Sequence, residues 1–564
     1  MLIEQSSAGK GHPRVFLSRC PDLRRQTPGQ ANIRAGGTQL VVRVVFCSLA
    51  IVSTAFGDDQ LQWGQRYSRN MVSAETGLPE TFDPATGKNI KWVVPLGTQT
   101  YSTAVVGGGK VLIGTNNGNP RDERHKGDRG VLLCLNANDG SFCWQLVVPK
   151  LGRDPRVDSP RTGIVSPATV EGDRVYIMSN RGEVMCLDLN GQTNGNDGPY
   201  VDEGRHMAPR GVEPMQVTKT DADIVWLFDI PAEVGVHQHD AAHSSILLHG
   251  QFLYVNTSNG LNSAHSGVFA PNAPSLIVLD KTTGRLVAQD AERIGPRIFH
   301  CTWSSPALAN VNGQTLVFFC GGDGVCYAFE ALQFAPAAPV VEKLRRVWRF
   351  DCDPTAPKEN IHQYIGNRQE SPSNIKSMPV FHQNRLYVTV GGDIWWGKRQ
   401  AWLKCIDATK TAVSTNNGEA WSYPLQRHCC STPSVYDGLV FVADCGRLVH
   451  CVDAETGQPY WTHETKGEIW ASTLVADGKV YIGTRRRDFW VLAASRDKRV
   501  ISSIELDSPI VSSPIAANGV LYIATMKKLY AVGFSTGHLA APRSGVPTGG
   551  ISNAKWAVSQ NRAR

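Results

Sequence analysis

Thr432-Pro433-Ser434-Val435-Tyr436-Asp437-Gly438-Leu439-Val440-Phe441-Val442, and shortly after it Cys451-Val452-Asp453-Ala454-Glu455-Thr456-Gly457-Gln458-Pro459-Tyr460-Trp461, contain one whole structural unit. The first stretch alternates apolar and polar residues on both sides of Asp-Gly, which is the strongest short-range signal of a β-hairpin. The second places an Asp that can bond the turn backbone, a Gly able to take positive φ, and a Trp on the strand that follows. Together they predict four antiparallel strands.

Working outward, the hairpin recurs at Ser472-Thr473 with Asp477-Gly478 and at Ser513-Pro514 with Asn518-Gly519. Looser copies begin at Ser102, Ser166, Ser244, Ser304 and Ser377, which makes eight. Third strands follow at Val131, Glu183, Leu276, Val325, Trp402, Leu448, Phe489 and Lys528. Fourth strands follow only seven of them, and the missing pattern, Lys91-Trp92-Val93-Val94-Pro95-Leu96-Gly97, precedes the first hairpin. The expectation is an all-β, eight-bladed β-propeller of four-stranded antiparallel blades, its ring closed by that N-terminal strand so that no sheet edge is left open. Insertions at 190–222, 350–372 and 391–401, the last with Trp395-Trp396, lengthen blades 2 and 5.

The rest of the chain divides around this ring. Arg43 and the apolar run Val44–Val52, followed by Ser53 and Ala55, have the order of a secretory signal behind a long polar preamble. Residues 1–57 are therefore expected to be a removable leader, 58–90 an extension, 91–537 the propeller and 538–564 a disordered tail. The predicted location is periplasmic or secreted, with no membrane span in the mature protein. The formal charge of +7 lies mostly in the leader, leaving 50 basic against 48 acidic residues over the other 507, which excludes a nucleic-acid footprint. Of the 14 cysteines, Cys134, Cys186, Cys405 and Cys451 stand at matching positions where a small buried residue belongs. Cys320 with Cys326 and Cys445 with Cys451 flank tight turns, as thiols or as disulfides.

The motif D-x-x-T-G-x-x-x-W resembles that of the pyrroloquinoline-quinone-type (PQQ-like) β-propeller repeat family. The resemblance implies that Trp92, Trp144, Trp226, Trp348, Trp421 and Trp461 dock against the turn of the neighbouring blade. It leaves activity open, since the fold serves quinoprotein dehydrogenases as well as non-catalytic proteins of outer-membrane assembly. In the dehydrogenases the quinone lies between a Trp floor and a disulfide of adjacent cysteines, with Ca²⁺ on carboxylate and amide oxygens. Here Cys429-Cys430, Trp303 and Trp470 echo those parts, but the cysteines fall before the sixth hairpin and no Glu, Asn and Asp trio has the matching spacing.

Residues just ahead of each inner strand point toward the central funnel. They are His237, His239, Asp240 and His243 in blade 3, His300, Cys301 and Trp303 in blade 4, and Lys376 in blade 5. His428, Cys429 and Cys430 in blade 6 and Glu468 with Trp470 in blade 7 complete the set. They line a wet channel, or hold an organic ligand or a transition metal. Cys429 and Cys430 are expected to face the funnel beside His428, within reach of His243 or His300, as a redox-active disulfide or a soft-metal site; buried thiols are the alternative. Asn190–Gly198 has oxygens for Ca²⁺ but one carboxylate, Asp197, and Arg485-Arg486-Arg487 is a short basic run. Walker, G-x-S-x-G and H-E-x-x-H motifs are absent from the sequence. The functional expectation is an exported, monomeric binding or scaffold protein holding a protein partner or small ligand at the funnel. The second is a PQQ-dependent alcohol or aldehyde oxidoreductase with calcium.

Overall fold

The computed structural model describes residues 58–152, 157–410 and 417–534. The leader, the segments 153–156 and 411–416 and the tail lie outside the described residues. Eight antiparallel sheets follow one another along the chain, six of four strands and two of five. In blade 3 the short segment Glu342–Lys343 adds a parallel fifth strand beside Leu286–Gln289. In blade 5 Ser373–Asn374 extends the sheet beside Arg385–Gly392.

Blade 6 shows why the sequence folds this way. Asp437 and Gly438 both take positive φ, 49° and 72°, the backbone twist a two-residue hairpin needs, and Ser434 falls opposite Phe441. In the second turn Asp453 Oδ1 accepts from the backbone N–H of Glu455 and Thr456 and from the Thr456 hydroxyl, at 2.9–3.0 Å. Gly457 closes that turn at φ +73°, and a Cβ there would lie 2.6 Å from the Trp421 ring of the preceding blade. Glycine is thus required twice, by conformation and by close approach.

The same contact repeats around the ring. Trp92, Trp144, Trp226, Trp421 and Trp461 each donate Nε1–H to a backbone carbonyl of the next blade, those of Ala137, Leu189, Lys281, Ala454 and Ser495, at 2.9–3.1 Å. Trp348 is equally buried but its Nε1 has no acceptor among the described residues. Glycines lie against the indoles of Trp92, Trp144, Trp226 and Trp421, whereas the turn from Ser495 that Trp461 bonds has none, so glycine does not decide which indole is paired. Opposite each Trp on the neighbouring strand stands a small residue: Cys134, Cys186, Cys405 and Cys451, with Ala328 and Ala531 in the other two. A thiol there is a small hydrophobe that leaves room for the ring.

Ring closure follows the expected pairing. Ile90–Pro95 lies antiparallel to Lys528–Val532, with Trp92 opposite Ala531 and Val94 opposite Leu529. The turn Asp83–Gly87 before it is tied by Asp83 in the manner of Asp453, so the N-terminus supplies the turn motif as well as the strand. Apolar side chains of adjacent blades interlock into eight core clusters, the first joining Trp92 and Ile515 of blade 8 to Val111 and Ile113 of blade 1.

The extension ahead of this strand crosses the inner strands of the whole ring. Val106, Val170, Leu308, Phe381 and Val475 donate backbone N–H to Gln60, Leu61, Tyr67, Ser68 and Met71, at 2.8–3.0 Å. The Asn70 side chain pairs with both backbone groups of Val435, and Glu75 accepts from Asn518 and Gly519. Arg69, fully buried, donates to Ser245, Pro306 and Trp63. All eight inner strands are thereby touched, and one end of the central channel is sealed.

Candidate functional site

The cavity above this seal has a volume of about 330 Å³. Trp63 of the extension forms part of its lining together with Tyr101, Trp303, Trp395 and Trp470. Its polar lining includes Asp240, His243, Lys376 and Cys430. Three residues of this lining each carry a buried polar atom with no hydrogen-bond partner among the described residues: Trp63 Nε1, Trp470 Nε1 and His243 Nε2. The His243 Nδ1–H is committed to the Ala241 carbonyl at 2.6 Å, which leaves Nε2 as an acceptor, and burial pulls this imidazole down to about 4. Two donors and one acceptor thus belong to residues that line a largely aromatic chamber.

Lys376 spans the chamber wall. Its ammonium lies 3.9 Å from the Trp303 ring centroid and 5.5 Å from that of Trp395, and donates to Asp393 Oδ2 at 2.7 Å and Asn374 Oδ1 at 3.2 Å. Asp393 is fully buried; burial alone would push its carboxyl up, but Lys376 and His300 hold it well below the usual carboxylate range. Its other oxygen accepts from the backbone N–H of Trp395 and Trp396, which folds the 391–401 insertion inward and sets Trp395 against Trp303 and Trp470.

Beside Asp240 three imidazoles converge. His239 Nε2 is 3.2 Å from His265 Nε2 and 3.7 Å from Asp240 Oδ2, and His300 Nε2 is 3.5 Å from the same carboxylate oxygen. His239 Nδ1 bonds the Leu261 carbonyl at 2.8 Å and His300 Nδ1 bonds Asp393 Oδ2 at 3.0 Å. The loop after Phe252–Asn256 is threaded between the two approaches that carry these residues. Gly260 N–H donates to His237 O, Leu261 N–H to His300 O and Thr302 N–H to Asn259 O, at 2.9–3.1 Å. A Cβ on Gly260 would lie 2.7 Å from the His239 Cβ and 2.9 Å from the His300 carbonyl.

Of the residues singled out in the sequence, Asp240, His243, Trp303, Lys376, Cys430 and Trp470 line one cavity, with His239 and His300 in its wall. Cys429 corrects the expectation. Its thiol is buried in the core between blades 5 and 6 and donates to the Ala443 carbonyl at 2.9 Å, because successive residues of an extended approach point to opposite sides. The partner of Cys430 is Cys445, with the sulfurs 4.0 Å apart. The hydrogen bond from Cys445 lowers the Cys430 thiol against the effect of burial, helped by His428 and Lys376, while Cys445 moves up. His428 lines a separate small cleft with Cys445, Arg368 and Lys398. All twelve described cysteines are thiols, Cys320 and Cys326 standing opposite each other in register. Sequence reasoning missed His265, in the loop between Phe252–Asn256 and Leu276–Asp280, Asp393, in the 391–401 insertion, and Trp63 of the extension; the Trp395-Trp396 pair beside Asp393 was the one visible signal.

The quinone and calcium of the dehydrogenases find no matching donors here. Calcium takes six to eight oxygens, and Asp240 is the single carboxylate on the cavity lining. The adjacent cysteines that would cover the ring diverge, one into the core and one into the cavity.

Comparison with known proteins gives the following. A family model described as outer membrane protein assembly factor BamB matches residues 68–230 and 445–560. A quinohemoprotein alcohol dehydrogenase of Comamonas testosteroni is 29% identical over 108 residues, a match spanning 17% of this chain and 15% of that protein's length. Its crystal structure superposes on 88% of this chain and 83% of that one, with a TM-score of 0.53 at 12% identity. The quinohemoprotein alcohol dehydrogenase ADHIIG of Pseudomonas putida HK5 superposes on 87% and 82%, with a TM-score of 0.52 at 12% identity. At these identities the likeness is one of fold. Among the described residues no helix is long and apolar enough to cross a membrane.

Proposed function

Because the chain belongs to the PQQ-like β-propeller repeat family, whose shared scaffold leaves activity to the site, we propose that it is a binding protein of the extracytoplasmic space. It holds a flat small molecule in the sealed aromatic chamber. One observation carries this reading: Trp63, Trp470 and His243 share one lining, and Trp63 Nε1, Trp470 Nε1 and His243 Nε2 are buried without a partner among the described residues. Unsatisfied buried polar groups cost about 1–3 kcal/mol each, and a ligand with two acceptors and one donor would relieve all three. The tryptophans supply stacking area, and the volume suits a small organic molecule. The absence of a carboxylate set for calcium on this lining favours binding over quinone-dependent oxidation.

The test is a tryptophan-fluorescence titration of the purified full chain with aromatic carboxylates and with PQQ plus Ca²⁺, alongside a dye-linked alcohol oxidation assay. Saturable quenching by an aromatic carboxylate, lost in Trp303→Ala and Trp470→Ala and without alcohol turnover, is the expected result. Turnover after reconstitution with PQQ and Ca²⁺ would establish the dehydrogenase instead. Export is tested separately, by fusing residues 1–90 to a reporter active only outside the cytoplasm.

A further inference from the structure

The wall of the chamber contains a second constellation that the ligand reading does not use. We propose that His239, His265, His300 and Asp240 form a binding site for one divalent transition-metal ion of the zinc class, reached from the funnel through Asp240.

The donor atoms are already gathered. The three imidazoles offer nitrogens that all lie within 4.8 Å of one another. Two ligands of a tetrahedral ion with bonds of about 2.0–2.1 Å are about 3.3 Å apart, and His239 Nε2 and His265 Nε2 are separated by 3.2 Å. Asp240 Oδ2 stands 3.5 and 3.7 Å from the Nε2 atoms of His300 and His239. Closing nitrogens that stand up to 4.8 Å apart around one ion takes a shift of up to about 1.5 Å in the widest pair, and Asp240, outside that group of three, joins from the side of His239 and His300.

The ring orientations are fixed from outside. The Leu261 carbonyl can only accept, so it holds the His239 proton on Nδ1 and turns the Nε2 lone pair toward the cluster. Asp393 does the same for His300, a carboxylate–imidazole arrangement of the kind that supports metal-ligating histidines. The His300 side chain is 2% exposed, and its Nε2 has no hydrogen-bond partner among the described residues. That atom is aimed at the point where the other donors meet. Asp240 and Ala241 reach their positions through consecutive positive φ values of 61° and 90°, a backbone cost that non-glycine residues bear mainly where a site demands it.

The donor chemistry selects the ion. Three imidazoles and one carboxylate suit zinc or cobalt rather than calcium or magnesium, which need oxygen shells. A second grouping, Asp122, His125 and Asp221, carries no such inference, since Arg124 already bonds both carboxylates.

The experiment uses the full chain stripped of metal, titrated with Zn²⁺ by calorimetry and with Co²⁺ by visible absorption, and independent of any organic ligand. One equivalent should bind, with the strong d–d bands of tetrahedral Co²⁺. His265→Gln, on a partly exposed loop outside the core, should remove those bands and weaken Zn²⁺ binding at least about 100-fold, and Asp393→Asn should weaken it about 10–100-fold. Asp122→Asn serves as a control with unchanged binding. Failure to take up one equivalent, or equal uptake by His265→Gln and by a folded His239→Ala/His300→Ala variant, overturns the site while leaving the fluorescence titration of the chamber unaffected.

Discussion

Six tryptophans occupy equivalent places in the ring, but among the described residues only five have a hydrogen-bond partner for Nε1, and this provides an internally controlled test of how blades are held together. Consider Trp144→Phe and Trp348→Phe. Both side chains are buried, at 1% and 3% exposure, so the smaller ring leaves a comparable gap. At about 24 cal/mol per Å³ of uncollapsed cavity, a gap of about 30–40 Å³ costs about 1 kcal/mol at either site. At Trp144 the change also removes the donor to Leu189 O, 2.9 Å away, adding about 1–3 kcal/mol for the orphaned carbonyl. At Trp348 it removes a buried N–H that has no acceptor among the described residues, returning about 1–3 kcal/mol. Trp144→Phe should therefore destabilise by about 2–4 kcal/mol and Trp348→Phe by none, or stabilise slightly. Urea unfolding followed by near-ultraviolet circular dichroism, comparing midpoints of the first transition, reads the difference. Equal midpoints for the two variants would show that the indole N–H contributes nothing and that apolar contact alone joins the blades.

Gly457→Ala should cost about 2–4 kcal/mol by the same assay, because its Cβ meets the Trp421 ring at φ +73°. His243 takes up its proton near pH 4 when folded, against 6.5 when unfolded, because it is buried. Between these values the unfolded chain binds more protons, so stability is complete above pH 6.5 and falls by up to about 3 kcal/mol on acidification to pH 4. Comparing midpoints at both pH values in the wild type and His243→Gln should isolate that slope. Iodoacetamide at neutral pH should label Cys430 well before Cys429, as peptide mass spectrometry will show, since Cys430 opens on the cavity with a lowered thiol and Cys429 is core. Arg69→Met removes the donors to Ser245, Pro306 and Trp63 and should expose residues 58–82 to protease while the ring, closed by Ile90–Pro95, stays folded. Unchanged cleavage would mean that Arg69 does not hold the seal.

The blades were legible in the sequence because their signals are local. Asp-Gly turns fix hairpin register within four residues, and the D-x-x-T-G-x-x-x-W motif packs its turn and its strand within ten. Even ring closure could be read, since a fourth-strand pattern was surplus at one end and lacking at the other. Funnel positions were legible as residues preceding inner strands, and Asp240, His243, Trp303 and Lys376 from that set share one cavity lining. The cluster around them was not, because His265 and Asp393 enter from loops whose course is set by bonds such as Leu261 N–H to the His300 carbonyl and Trp395 N–H to the Asp393 carboxylate. Cys429 and Cys430 were read as one unit, although adjacent side chains on extended backbone diverge. Trp63 and Arg69 carry no periodicity at all, and only the assembled ring shows what they cover.

The crossing of the channel by residues 58–82 orders events in the life of the chain. The segment made first among the described residues has its partners spread over the next 450, the last of them Asn518 and Gly519. The neighbouring strand Ile90–Pro95 must wait for Lys528–Val532. No length of nascent chain short of the final blade can therefore satisfy its own beginning. Each earlier product of synthesis has open sheet edges at both ends, the condition under which strands pair with the wrong neighbour. Closing loops of this length costs entropy that grows slowly with length but delays the search. The ring can therefore close only once its last blade exists, and the protein's most vulnerable period is the interval between its seventh blade and its eighth.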